Sequence, residues 1–263
     1  MMELVGRSLG TRSVSYDDRD VMLYALAVGV HATDLELVYE RDLKVLPTFA
    51  LPLGLWAVEA AGELGTYDRS RSLHVGQELS MLRTMPTSGS FDLAGTISNV
   101  WDKGSAALVE ISVASEYFTT TYLIFVPGVG GFGGERGPST SGAVSPDPPS
   151  WTTKVVTTED QAALYRLTGD RHPVHIDLEL ARESGFERPI LHGLCTLGTV
   201  VLEAARVQGR SPVDLCGLTA RFSAPVFPGA TIVLSGWTLA DATSYVASID
   251  DVGTVLSGTV CLA

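Results

Sequence analysis

The 263-residue sequence predicts an α+β fold built by duplication. Three observations predict it. Residues 127–150 hold 16 Gly, Pro or Ser among 24 positions, and they divide the chain into halves of similar length, 1–126 and 151–263. The run Tyr16-Asp-Asp-Arg-Asp-Val-Met-Leu-Tyr24-Ala-Leu has the spacing of Thr157-Thr-Glu-Asp-Gln-Ala-Ala-Leu-Tyr165-Arg-Leu. In each half, an apolar helical run is followed by long, partly alternating stretches.

In order, each half opens on a short acid-capped helix that ends in Tyr-x-Leu. A polar turn and a proline (Pro47, Pro189) come next, then an apolar helical run over 49–64 or 190–207. Strand-like stretches close the halves: 73–83, 91–101 and 105–126 in the first, then 214–223, 231–239, 243–250 and 253–262 in the second. Trp101-Asp-Lys-Gly and Asp250-Asp-Val-Gly read as hairpin turns. The 127–150 segment reads as a linker. If flexible, it has an r.m.s. span of roughly 25–30 Å, enough to cross a small domain.

Composition narrows the function. Hydrophobic residues at 45% supply a packed core and exclude a disordered chain. A net charge of −12 argues against nucleic acid, whose phosphates require a basic face, and equally against an anionic membrane surface. Cys195, Cys216 and Cys261 are odd in number and lack C-x-x-C spacing, so neither a disulfide frame nor a zinc site is implied. No apolar run approaches the ~20 residues that span a bilayer. The N-terminus lacks the order of a signal peptide, and the C-terminal Cys-Leu-Ala is not a peroxisomal address. A soluble cytoplasmic protein is the expectation.

The chemistry concentrates in residues 165–198. There Asp170 and His175 lie five positions apart across a Pro-fixed turn, the spacing of a paired acid and base. Gly193 follows His192 at the start of an apolar helix, where a bare backbone N–H faces developing negative charge. Taken alone, Asp170 could be an Asx turn before Pro173, and His175 a core histidine; together they point to chemistry. His192 and the repeat-equivalent Tyr24 and Tyr165 read as packing residues, and Cys195 as inert core. Arg166, Arg171, Arg182 and Arg188 alternate with Glu179, Glu183 and Glu187 and read mostly as solvated surface. The first half offers Gly29, His31 and Asp34 out of register, and Ala50-Leu51 in place of His192-Gly193. It has kept the scaffold without the reactive groups, so its part is to shape a pocket.

Residues 165–198 closely resemble the type 2, R-specific enoyl-CoA hydratases, the MaoC-like dehydratases, whose signature is Gly-Asp-x-Asn-Pro-Leu-His-x-Asp followed by Pro-Ile-Leu-His-Gly. Asp34-Leu-Glu-Leu-Val-Tyr-Glu, Leu46-Pro-Thr-Phe, Asp102-Lys-Gly and Arg221-Phe-Ser-Ala-Pro-Val-Phe-Pro-Gly229 extend the likeness over nearly the whole chain. The resemblance implies a double hot-dog fold, with a degenerate N-terminal hot-dog (1–126) that forms the acyl pocket and a catalytic C-terminal one (151–263). It implies reversible hydration of a trans-2-enoyl-CoA to an (R)-3-hydroxyacyl-CoA, with no metal or redox cofactor, in a homodimer. It places Asp170 and His175 as the water-activating pair and Gly193 as the donor to the thioester oxygen. Arg171 and Arg188 become candidates for the CoA phosphates. One position departs: the family's Asn is His172 here, a bulkier group that donates one hydrogen bond, accepts one, and can charge near neutral pH. A dehydratase of carrier-bound acyl chains, a hot-dog thioesterase and a non-catalytic acyl-CoA-binding subunit are the alternatives.

Overall fold

Ten strands join in one antiparallel sheet in the computed structural model, which describes residues 1–68, 71–137 and 147–263. The first half supplies β1 (Ser8–Tyr16), β2 (Leu73–Met81), β3 (Gly89–Asp102), β4 (Ala106–Ala114) and β5 (Phe118–Pro127). The second supplies β6 (Trp151–Val156), β7 (Leu215–Phe222), β8 (Thr231–Thr238), β9 (Thr243–Ile249) and β10 (Gly253–Leu262). Their order is β1-β3-β4-β5-β2-β7-β10-β9-β8-β6. Each half thus repeats one internal order, and the halves meet through the equivalent strands β2 and β7, from Gly76↔Arg221 to Ser80↔Gly217. Antiparallel pairing of equivalent strands is what a two-fold relation between copies requires.

The helices are α1 (Asp18–Ala27), α2 (Leu35–Val38), α3 (Ala50–Gly54), α4 (Trp56–Glu63), α5 (Gln161–Tyr165), α6 (Leu178–Glu183) and α7 (Gly193–Val207). The acid cap expected at α1 is a reciprocal one: Asp17 accepts from the Asp20 N–H, and Asp20 from the Asp17 N–H, at 3.1 Å each. In the second half the equivalent end is held differently, by the Gln161 side chain on the Thr158 N–H. The expected helix over 49–64 divides into α3 and α4 at Leu55, whose N–H closes a tighter i→i−3 bond on the Pro52 carbonyl at 3.3 Å. α7 is apolar nearly all round and is buried along most of its length.

The sequence pattern misses β1 and β6. Both are edge strands whose side chains alternate weakly or stay exposed, so no apolar period marks them. The stretch 105–126 is two strands, because Ser115 folds the chain back: its Oγ accepts from the Tyr117 and Phe118 N–H groups.

Residues 128–137, within the expected linker, pack on the β3–β4 hairpin. The Asp102 carboxylate accepts the N–H groups of Gly104, Gly131 and Gly133 at 2.8–2.9 Å. These backbone donors hold its pKa below the usual carboxylate value. A Cβ on Gly130 would lie 2.4 Å from the Ala106 nitrogen, so glycine here serves a close backbone approach. The remainder of the expected linker up to 146 falls outside the described residues.

The halves are stitched where α1 ends. Gln161 Nε2 donates to the Ala27 carbonyl at 3.1 Å and Thr199 Oγ1 to the Val28 carbonyl at 3.0 Å. Carbonyls that a helix end leaves unpaired are therefore satisfied from the other half. Tyr24 and Tyr165, equivalent by repeat, are both fully buried with ring centroids 6.0 Å apart. Asp34, considered above for chemistry, is paired with Arg206 of α7.

Candidate active site

The loop between α5 and α6 carries the expected pair. Gly169, at φ 145°, turns the chain into it. Asp170 then uses its two oxygens separately. Oδ1 accepts the His172 N–H at 3.1 Å, an Asx turn, while Oδ2 faces His175 Nε2 at 3.9 Å. One oxygen of Asp170 thus makes the turn, and the other is left to face His175.

His175 closes the 3-10 turn Pro173–His175. Its Nδ1 lies 2.9 Å from the Ile190 carbonyl. A carbonyl only accepts, so Nδ1 carries the proton, and neutral His175 presents the Nε2 lone pair to Asp170. Burial pushes the His175 pKa down, opposed by the Asp170 charge and by the Ile190 bond. The 3.9 Å gap is too wide for a direct hydrogen bond. A water at about 2.8 Å from each atom would span it with an angle of roughly 90°.

His172 stands at the start of the turn, and its Nδ1 accepts the Val174 N–H at 3.3 Å. In histidine, Nδ1 is bonded to Cγ as Oδ1 is in asparagine, so this ring occupies an asparagine's capping position while the rest of it lies exposed. Its centroid is 6.2 Å from that of His175.

His192 is the N-cap residue of α7 and Gly193 its first residue. The Gly193 N–H is among those a helix cannot satisfy internally, and it sits at the positive end of a 15-residue helix. A Cβ at Gly193 would lie 3.2 Å from the Phe222 ring, which a side chain here would have to displace. His192 packs on the pair, with its ring 3.6 Å from that of His175 at 26°. Donor atoms of Asp170, His175 and His192 fall within 4.8 Å of one another, as in a metal set. The two rings are stacked, however, so their lone pairs lie in separate planes about 3.6 Å apart instead of aiming at one ion.

The two arginines diverge. Arg171 is exposed beside Asp170. Arg188 lies over the Phe227 ring at 4.9 Å, donates to the Pro228 carbonyl at 3.2 Å, and faces Glu159 at 3.8 Å. Sequence reasoning missed His74 on β2, from the first half. Its ring is tilted 59° to that of Phe222 with centroids 4.9 Å apart, and its Nε2 bonds the Gly76 carbonyl. Burial pushes its pKa down to about 4, against the Gly76 bond and the field of Asp170. A lone histidine in a strand gave no signal; only the β2–β7 junction brings it beside Phe222, whose ring also faces Gly193.

Among the described residues no helix is long and apolar enough to cross a membrane. Two family models match the chain, the MaoC like domain over residues 143–257 and the MFE-2 hydratase 2 N-terminal domain over 14–129. A probable enoyl-CoA hydratase 2 of Dictyostelium discoideum is 38% identical over 83% of this chain and 80% of its own length. The peroxisomal multifunctional enzyme type 2 of Drosophila melanogaster is 36% identical over 84% of this chain, which spans only 41% of that protein. Among solved structures, the MaoC-like dehydratase of Phytophthora capsici superposes with a TM-score of 0.89 at 24% identity, covering 100% of this chain and 97% of the other. A Mycobacterium tuberculosis protein described as a double hot-dog fold superposes with a TM-score of 0.62 at 14% identity, over 98% and 96% of the two chains.

Proposed function

The chain belongs to the MaoC-like dehydratase family of hydro-lyases, and from that premise we propose that it hydrates trans-2-enoyl-CoA reversibly to (R)-3-hydroxyacyl-CoA. The observation that carries this reading is the 3.9 Å gap between Asp170 Oδ2 and the unprotonated His175 Nε2, next to the start of α7.

In the hydration direction, one water sits between Asp170 and His175. His175 Nε2 takes its proton as the oxygen bonds to C3. The C2–C3 π electrons move toward the thioester carbonyl, giving an enolate whose oxygen accepts the Gly193 N–H at the positive end of α7. Losing one such donor typically costs about 3–4 kcal/mol of barrier. The pair then returns a proton to C2 on the face the water attacked, so addition is syn. Acid/base help of this kind is worth about 10²–10⁴ in rate. Hydration is redox-neutral, and the reading calls for no cofactor beyond the CoA thioester. Arg171 meets CoA phosphate in this reading, whereas the contacts of Arg188 make it the weaker candidate. The first half shapes the acyl pocket, with His74 and Phe222 on the wall nearest Gly193. A net charge of −12 opposes docking of an acidic carrier protein.

Loss of the enoyl absorbance of crotonyl-CoA on adding protein, with the product taken by an R-specific and not an S-specific dehydrogenase, tests the reading. No absorbance change overturns it in favour of a binding subunit, and release of free thiol overturns it in favour of a thioesterase. The sheet ends on β1 and β6, and such edges invite pairing, so a homodimer completes the proposal. Light scattering at twice the 27.9 kDa chain mass is the expected result, and the monomer mass refutes it.

A further inference from the structure

We infer that His192 is a positioning residue that locks both members of the Asp170/His175 pair, stacked on one and bonded to the backbone of the other. The inference rests on the roles proposed above for that pair. His192 is only 1% exposed. Its ring stacks on that of His175 at 3.6 Å, and Tyr165, itself fully buried, packs against His192 with its ring tilted 48° at 4.8 Å. This Tyr165–His192–His175 series leaves His175 little freedom to rotate about χ2. The Ile190 carbonyl then selects the orientation that turns Nε2 toward Asp170.

The second contact explains why an imidazole stands here rather than a phenyl ring. His192 Nε2 lies 3.1 Å from the Asp170 main-chain oxygen. A carbonyl only accepts, so His192 is the Nε2–H tautomer, and its Nδ1 is an unprotonated nitrogen. That Nδ1 is buried without a hydrogen-bond partner. A buried bare acceptor has a cost, and it makes sense only if the other nitrogen is needed. Through Nε2–H the ring fixes the backbone of Asp170, and so the start of the Asx turn that aims Oδ2. Burial, and next the neighbouring His175, keep His192 from charging, so no second positive charge arises against the base.

Two substitutions separate this role from mere packing. Glutamine carries its Nε2 at the same bond count from Cα as histidine, whereas asparagine reproduces only the Nδ1 position. With crotonyl-CoA as substrate, His192→Gln is expected to retain kcat within about tenfold. His192→Asn is expected to lose 10²-fold or more in kcat with little change in KM, while thermal midpoints stay close together. Equal kcat for the two variants, or a loss that follows only the folded fraction, overturns the inference. Ring ¹⁵N NMR between pH 6 and 8 reads the same geometry without turnover. The expected signals are a neutral Nε2–H His192, and a His175 held as Nδ1–H in wild type and His192→Gln but averaged over tautomers in His192→Asn. A charged or Nδ1–H His192, or an unchanged His175 in His192→Asn, also overturns it. An inactive wild type with these NMR signals intact would count against the hydratase reading and not against the positioning role.

Discussion

At the residue scale, Asp170 and His175 divide their work among atoms that single substitutions can address. Asp170→Asn keeps an oxygen for the His172 N–H, so the turn survives while the charge beside His175 is lost. That variant and His175→Ala are each expected to lower hydration by 10²-fold or more, with the double variant little worse than either, because in the proposed mechanism the two act on one water. Steady-state kinetics on folded protein check this, and full activity in either single variant refutes it. His172 yields a separate expectation. His172→Asn puts Oδ1 where Nδ1 accepts the Val174 N–H, so stability holds, whereas His172→Ala loses about 1 kcal/mol in urea unfolding. A charged His172 pushes His175 away from protonation. Its removal in His172→Asn therefore raises the affinity of His175 for a proton and moves the acid limb of the pH–rate profile to higher pH. The ring is exposed and solvent-screened, so the move is small.

At the scale of elements, two contacts with no slack make predictions. A Cβ on Gly198 would lie 2.7 Å from Val28 Cγ1, because α7 crosses the end of α1 there. Gly198→Val is expected to force the halves apart and cost several kcal/mol, read as a lower urea midpoint. Asp102 is the second. Asp102→Ala leaves the N–H groups of Gly104, Gly131 and Gly133 without their acceptor, so residues 128–137 detach from the hairpin. Limited proteolysis is expected to cut the variant within that segment and to spare the wild type. An uncut variant would mean that the glycine packing suffices. These elements also mark where sequence reading stops. The apolar run of α7 and the alternation of β7 to β10 are legible, since each is a single period along the chain. The glycines of 128–137 are not, since flexibility and close backbone packing demand the same residue.

At the scale of the whole molecule, buried neutral histidines tie stability to pH. His74, His175 and His192 all have folded pKa values below 6.5, each chiefly because burial penalises the charge. The unfolded chain therefore binds protons that the folded one refuses. Stability is complete above about pH 6.5 and is lost as pH falls. His74 and His192 alone contribute a slope of about 2–3 kcal/mol per pH unit between about pH 6 and 4. Urea midpoints taken from pH 7 to 5 are expected to fall steeply, and His74→Phe to remove about one proton's worth of that slope. A midpoint that does not move over this range refutes the account.

The chain's own pattern determines a good deal: two copies of a helix-and-strand unit, the helix that begins at Gly193, and the turn in which Asp170, Pro173 and His175 stand at close spacing. All of these are local, set within some 34 residues or by one periodicity. What tertiary structure alone decides is which local groups meet. The sheet closes through β2 and β7 because hydrogen-bonding edges must find partners, and neither strand carries a mark that names the other. That junction brings His74 of the first half to Phe222 of the second, 148 positions apart by subtraction of their numbers. In the same way, His192 stacks on His175 only because the Ile190 and Leu191 backbone is pinned to His175 Nδ1 and to the Val226 carbonyl. A residue's type records what it can do, and its neighbours in the folded chain decide which of those capacities is used.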